Sequence, residues 1–180
     1  MVYIFLADGF EEIEALCPLD LLIRAEISVK TVSVSEDKIV KGCHDISVYA
    51  DMTKCELDPA IEPEMVVLPG GRGGAFKLDS DETVKKYITE TNERGGFIAA
   101  VCAAPMVLGN MGLLNGKEAV CYPGFEQYLT GAKISANKVV RDGNIITGKG
   151  MGVSLDFGLK LIEALKGSEC AEKIKGSVMA

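Results

Sequence analysis

Phe97-Ile98-Ala99-Ala100-Val101-Cys102-Ala103-Ala104-Pro105 is the stretch that decides the fold. Its five apolar residues follow Gly95-Gly96, which closes a charged helix expected over residues 81–94. Pro105 suits the first turn of a new helix, where its missing N–H is no loss and its fixed φ is already helical. The segment therefore reads as a buried strand turning sharply into a helix, with Cys102 at the turn and small neighbours that permit it.

Working outward, 65–68 is a second fully apolar run, ended by Pro69-Gly70-Gly71. Residues 2–6 are a third, ended at Asp8-Gly9, and apolar residues at helical spacing follow over 12–25. Residues 28–34 are β-rich, and Ile39-Val40 with residues 46–50 read as a hairpin or edge strands around 42–45. Downstream, strands are expected at 118–121, 139–141 and 145–147, a long amphipathic helix at 154–165 and a short one near 169–175. Strands alternating with helices build a mostly parallel sheet covered on both faces, an α/β fold, here as one domain over residues 1–180. In such sheets ligands collect at the carboxyl ends of the strands. Three loops meet that description: 8–14, 69–74 and 102–105.

Bulk properties exclude several functions. The net charge is −7 and the pI about 4.8, with no dense run of Lys or Arg, so nucleic acid is not an expected partner. The start of the chain lacks a basic segment and meets Asp8, Glu11, Glu12 and Glu14 at once, so it reads as a strand and not as an export signal. The uncharged stretch 95–115 is punctuated by Pro105, Gly109, Asn110 and Gly112, which argues against a membrane span. A cytoplasmic protein is expected. Its six cysteines contain no Cys-x-x-Cys pair and it has a single histidine, His44, so free thiols are expected and no zinc or iron–sulfur site.

Cys102, at the start of a helix, faces unsatisfied N–H groups that favour thiolate and lower a thiol pKa from ~8.5. The plain alternative is a small apolar filler, as free cysteines often are. Glu11, Glu12 and Glu14 all complement a helix dipole, but Glu14 is the one flanked by Ile13, Ala15 and Leu16. A carboxyl group in an apolar crevice has a raised pKa and can move protons to and from a substrate. Gly70, Gly71, Gly73 and Gly74 match neither phosphate-cradle motif. They are either simple turn residues or, through the amides of Gly70 and Gly71 with that of Ala103, an oxyanion-binding nest.

These fragments together resemble the ThiJ/PfpI superfamily, in the branch of the parkinsonism-associated deglycase, the DJ-one family. The resemblance runs from end to end: Asp8-Gly9-Phe10-Glu11-Glu12-Ile13-Glu14, Val66-Val67-Leu68-Pro69-Gly70-Gly71, the elbow Ala99-Ala100-Val101-Cys102-Ala103-Ala104-Pro105, and Gly148-Lys149-Gly150 before the last long helix. It implies a flavodoxin-like sandwich, usually a homodimer, with Cys102 as nucleophile and oxidation-prone thiol. Glu14 is then the carboxylic acid on its sulfur, and Gly70, Gly71 and Ala103 are the oxyanion donors. It implies cofactor-independent conversion of methylglyoxal and related aldehydes or glycated adducts, linked to oxidative-stress protection.

Many relatives carry a histidine beside the cysteine or after the following strand, where this chain has Ala103 and Tyr122. That departure counts against protease and amidotransferase chemistry, which need a histidine base. His44, in the Gly42-Cys43-His44-Asp45 turn, is either an inert surface residue or a group that reaches a partner's cysteine pocket. A strand-end Cys121 is read as buried. Against the enzyme stands a redox-sensing or chaperone-like protein without turnover, and more weakly a flavin-binding module.

Overall fold

Parallel pairing of short apolar strands organises the protein, whose computed structural model describes all of residues 1–180. In chain order the elements are β1 (Val2–Leu6), α1 (Glu12–Arg24), β2 (Val29–Ser33), β3 (Ile39–Lys41), β4 (Ser47–Tyr49), β5 (Met52–Thr53), β6 (Met65–Leu68), α2 (Arg72–Ser80) and α3 (Glu82–Glu93). There follow β7 (Phe97–Val101), α4 (Pro105–Asn110), β8 (Glu118–Ala119), β9 (Lys133–Ile134), β10 (Val139–Asp142), β11 (Ile145–Gly148), α5 (Ser154–Lys166) and α6 (Ser168–Ser177).

The central sheet has seven strands in the order β10-β11-β7-β6-β1-β2-β5. Every pairing in it is parallel except β10 with β11. This is the flavodoxin-like α/β architecture that the sequence predicts. The middle strands β1 and β6 are buried at every residue, which is why they read as unbroken apolar runs and not as alternating ones.

Alternation along β1 sends its side chains to two separate cores. Tyr3 and Phe5 join Leu78, Val84, Tyr87 and Ile88 of α2 and α3 on one face. Val2, Ile4 and Leu6 join Leu21 and Leu22 of α1 and Phe157, Leu161 and Ile162 of α5 on the other. Helices α1 and α5 cross closely because Gly158 has no side chain: a Cβ there would lie 2.5 Å from Leu21 Cδ1 and 3.2 Å from Pro18 Cα. Helix α3 starts where Asp81 caps it, its carboxylate accepting from the amides of Thr83 and Val84.

Two elements differ from the sequence expectation. Helix α2 is not foreseen, because Gly73 and Gly74 argue for a loop on propensity. Gly74 is there for clearance, since a Cβ would stand 2.7 Å from Phe10 N. The strand expected over 118–121 is only Glu118–Ala119, and it pairs with β9 outside the main sheet. Its continuation is turned away from a ladder when Val120 N–H donates to the Thr147 hydroxyl at 3.0 Å. Of the two readings for 39–50, hairpin or edge strands, the β3–β4 pair is the hairpin, and it lies on the β1–α1 loop through Gly9 N–H to Lys41 O at 2.7 Å and Cys43 N–H to Phe10 O at 2.8 Å. No helix is long and apolar enough to cross a membrane.

Candidate active site

The carboxyl ends of β1, β6 and β7 bring Glu14, Gly70-Gly71 and Cys102 to one place. Cys102 adopts φ 63°, a left-handed conformation that costs a non-glycine residue on the order of 1–2 kcal/mol. Two backbone bonds hold it there: Cys102 N–H donates to Gly148 O at 2.9 Å, and Tyr122 N–H donates to Cys102 O at 2.8 Å. The elbow read from Val101-Cys102-Ala103 is therefore a strained turn clamped from both sides.

Glu14 lies in the first turn of α1 and is 1% exposed. Gly70 N–H donates to its Oε2 at 2.9 Å, whereas Oε1 is buried without a hydrogen bond of normal geometry. Gly70 is the spacer that lets the two groups meet. A Cβ at this position would strike Glu14 Oε2, would come within 2.6 Å of Cys102 Cβ, and would stand 2.9 Å from Val101 O.

Burial pushes the Glu14 carboxyl up to about 7, helped by the neighbouring Glu11 charge and opposed by hydrogen bonding with Cys102 and Gly70. Burial likewise pushes the Cys102 thiol up to about 12, with the Glu14 charge and the hydrogen bond to it acting in the same direction. The amides of Gly71 and Ala103 pull the thiol down. Thiol and carboxyl thus titrate against one another in a largely buried crevice, where ionisation of one opposes ionisation of the other.

Two expectations are corrected. The thiol is raised and not lowered while Glu14 is charged, because burial and that charge outweigh two amides at the start of a short helix. The Gly70 amide is not an oxyanion donor in this geometry, because it is already bonded to Glu14. The amides that favour a charged sulfur are those of Gly71 and Ala103.

The sulfur opens on a cavity of about 500 Å³, whose walls include Ala103, Tyr122, Arg72, Phe76 and Tyr128. Tyr122 stands at the position considered for a histidine, half exposed, and a Cβ on Gly150 would lie 3.3 Å from its ring. Arg72, Phe76 and Tyr128 are missed by the sequence reading. The first two lie on α2, and a helical reading of 72–80 would have found them. Cys121 is buried, as expected.

His44 does not join Cys102 within the chain. Its Nδ1 lies 2.8 Å from Glu12 Oε2, its backbone N–H donates to Glu12 Oε1 at 2.8 Å, and Cys43 Sγ is 3.5 Å from Glu12 Oε2 and 3.3 Å from His44 Nδ1. This second cluster is missed because its members are about thirty residues apart in sequence. Burial raises the Glu12 carboxyl, but the donors from His44 and Cys43 overcome it and hold the group at about 2.

A family model for the DJ-1/PfpI family matches residues 1–164. The chain belongs to the DJ-1/PfpI family. It is 34% identical over 180 residues to Protein dj-1beta of Drosophila melanogaster, covering 98% of this chain and 96% of that protein. It is 33% identical over 171 residues to the glutathione-independent glyoxalase DJ-1 of Schizosaccharomyces pombe, covering 90% and 89%. Among solved structures, oxidized Toxoplasma gondii DJ-1 superimposes with a TM-score of 0.94 at 32% identity, covering 99% of this chain and 97% of that one. The family resemblance read from Cys102, Glu14 and Gly70-Gly71 thus extends to the whole architecture.

Proposed function

We propose that this protein is a cofactor-independent, cysteine-dependent enzyme that converts small reactive carbonyls, glyoxalase- or deglycase-like, as one domain in a cytoplasmic homodimer. The observation that carries the reading is the buried Glu14 carboxyl, poised near 7, against the clamped Cys102 thiol. A proton-transfer group is most useful when its pKa lies near the working pH.

Cys102 sulfur adds to the aldehyde carbon of methylglyoxal, and the proton shared with Glu14 goes to the carbonyl oxygen, giving a hemithioacetal. The Gly71 and Ala103 amides stabilise the oxygen as charge develops on it. Glu14, now a carboxylate, takes the proton from the former aldehyde carbon and returns it to the adjacent carbon through an enediol. A thioester of lactate results, and water hydrolyses it to lactate and free thiol. The net change is addition of one water to methylglyoxal, with no oxidant, metal or histidine required. The Schizosaccharomyces pombe relative's name, a glutathione-independent glyoxalase, supports the substrate class.

A cysteine redox sensor is the second reading, favoured by the absence of any imidazole in the cavity wall and by two amides that suit the oxygens of an oxidised sulfur. The deciding experiment measures methylglyoxal consumption and lactate at neutral pH without glutathione, for wild type and Cys102→Ser. Lactate from wild type alone is the expected result. Equal inactivity of both proteins, with peroxide still modifying Cys102, overturns the enzyme reading in favour of the sensor.

A further inference from the structure

The Glu12, Cys43 and His44 cluster lies outside the cavity and has no part in the chemistry above. Its simplest function is mechanical. Glu12 Oε1 accepts the His44 backbone N–H and Oε2 meets the imidazole, so one carboxylate ties the β3–β4 turn to the start of α1. That account leaves the thiol unexplained. A tether needs only His44 and Glu12, yet Cys43 Sγ stands within 3.5 Å of both.

A second nucleophile is excluded by the geometry. A cysteine–histidine–carboxylate relay uses the two ring nitrogens, one for the sulfur and one for the carboxylate. Here both partners converge on Nδ1 alone. Convergence of a thiol, an imidazole nitrogen and a carboxylate oxygen on one point is instead the arrangement of metal ligands.

We propose that Glu12 Oε2, Cys43 Sγ and His44 Nδ1 form a three-ligand site for a borderline divalent cation of the Zn²⁺ type, with a solvent position completing a tetrahedron. With Zn–S near 2.3 Å and Zn–N and Zn–O near 2.0–2.2 Å, the edges of such a tetrahedron are roughly 3.3–3.6 Å. The sulfur–nitrogen and sulfur–oxygen separations are 3.3 and 3.5 Å, already at those values. Only the nitrogen–oxygen edge, 2.8 Å as a hydrogen bond, has to widen, by about 0.5 Å.

The surroundings suit a site of this kind. Glu12 is 3% exposed and held in orientation through Oε1 by the His44 amide, the sort of outer tie that fixes a ligand carboxylate. Within the single chain Cys43 and His44 are exposed, which gives an ion a route in and the imidazole room to move. Gly42 keeps the turn close, since a Cβ there would strike the Glu12 carboxylate. A thiolate, an imidazole and a carboxylate together favour Zn²⁺ or its neighbours over Mg²⁺ and Ca²⁺, which take oxygen ligands. Binding displaces the thiol proton and the proton on Nδ1 to solvent. The sequence expectation of no zinc or iron–sulfur site rests on the missing Cys-x-x-Cys pair and the single histidine, whereas these ligands come from a helix start and a hairpin turn.

The test uses the reduced full-length protein and Co²⁺ as a spectroscopic stand-in for Zn²⁺. Wild type is expected to bind Co²⁺ stoichiometrically, with a near-ultraviolet thiolate charge-transfer band that Zn²⁺ displaces. The band persists in Cys102→Ser, which removes the other thiol beside a carboxylate. It is lost in Cys43→Ser, and His44→Ala weakens binding by about tenfold or more. Both substituted ligands are exposed, and a melting curve in chelator confirms that each variant is folded. Zn²⁺ also raises the melting temperature of wild type and Cys102→Ser but not of Cys43→Ser. The proposal is overturned if there is no stoichiometric binding, or if the band survives Cys43→Ser or disappears with Cys102→Ser.

Discussion

Glu12 and Glu14 sit two residues apart in the same helical turn, 3% and 1% exposed, yet they are held at about 2 and about 7. Burial opposes ionisation of both but weighs more on Glu14, which lies deeper than Glu12 beside the exposed turn. Donors widen the difference. Both Glu12 oxygens are engaged, by His44 through backbone and ring and by Cys43. Glu14 receives one amide, from Gly70, keeps an orphan oxygen, and faces the thiol of Cys102. Two faces of one helix start thus carry a permanent anion and a proton carrier, and the partner loops decide which is which.

The strongest way to break this contrast is Glu14→Gln, which keeps the shape but cannot exchange a proton. Carbonyl turnover is expected to fall by about 10²–10⁴-fold, the usual worth of a general acid–base group, measured as lactate formation. Glu12→Gln serves as the comparison and leaves turnover within a small factor. If both variants lose activity equally, Glu14 has no special role.

Stability against pH sharpens the same point. The folded Glu14 carboxyl keeps its proton to about 7 whereas the unfolded one ionises from the ordinary 4.5. Stability held below pH 4.5 is therefore lost as pH rises through about 7, on the order of 3 kcal/mol for this shift. Glu14→Gln does not titrate, so denaturant midpoints should show it gaining on wild type across that interval. A constant difference from pH 4 to 8 would contradict the raised value.

Gly70→Ala tests the spacer between the two groups. The added methyl meets Glu14 Oε2, Cys102 Cβ and Val101 O, the last being backbone that cannot swing aside. Overpacking of this kind costs about 1–3 kcal/mol. Turnover should fall further than the melting temperature alone explains, because Glu14 loses both its donor geometry and its approach to the sulfur.

How much of this is legible in the sequence follows from the range of the interaction. The apolar runs of β1, β6 and β7 and the Cys102-Ala103-Ala104-Pro105 turn are local signals, and they fix the parallel sheet and the elbow. Glu14 is legible as the carboxylate among Ile13, Ala15 and Leu16, but the sequence reads Glu12 as a plain dipole complement. Its actual partners, Cys43 and His44, come from a hairpin that only the fold lays against α1. Helix α2 is illegible because Gly73 and Gly74 speak against a helix locally, while the need for Gly74 arises from Phe10 across the sheet edge. The Gly70 amide could be assigned to an oxyanion from its motif. Its bond to Glu14 depends on a separation of 56 residues.

The smallest expected effect lies in the Glu12 tether itself. Glu12→Gln replaces charge-assisted hydrogen bonds by neutral ones and should cost about 1 kcal/mol at neutral pH. The sign with pH is opposite to that of Glu14. A carboxyl lowered to about 2 contributes stability above its unfolded value of 4.5, and loses it as pH falls from there toward 2. His44, raised by its hydrogen bond to Glu12, contributes most below 6.5 and loses that contribution as pH rises through its folded value. The two requirements overlap between about pH 4.5 and 6.5, so His44→Ala should differ most from wild type there in chelator-treated protein. The gap narrows toward pH 9, where the imidazole loses its charge while the backbone N–H of residue 44 and the Cys43 thiol still tie the turn to Glu12. An undiminished gap at pH 9 would mean that the imidazole holds the hairpin by packing and not by charge.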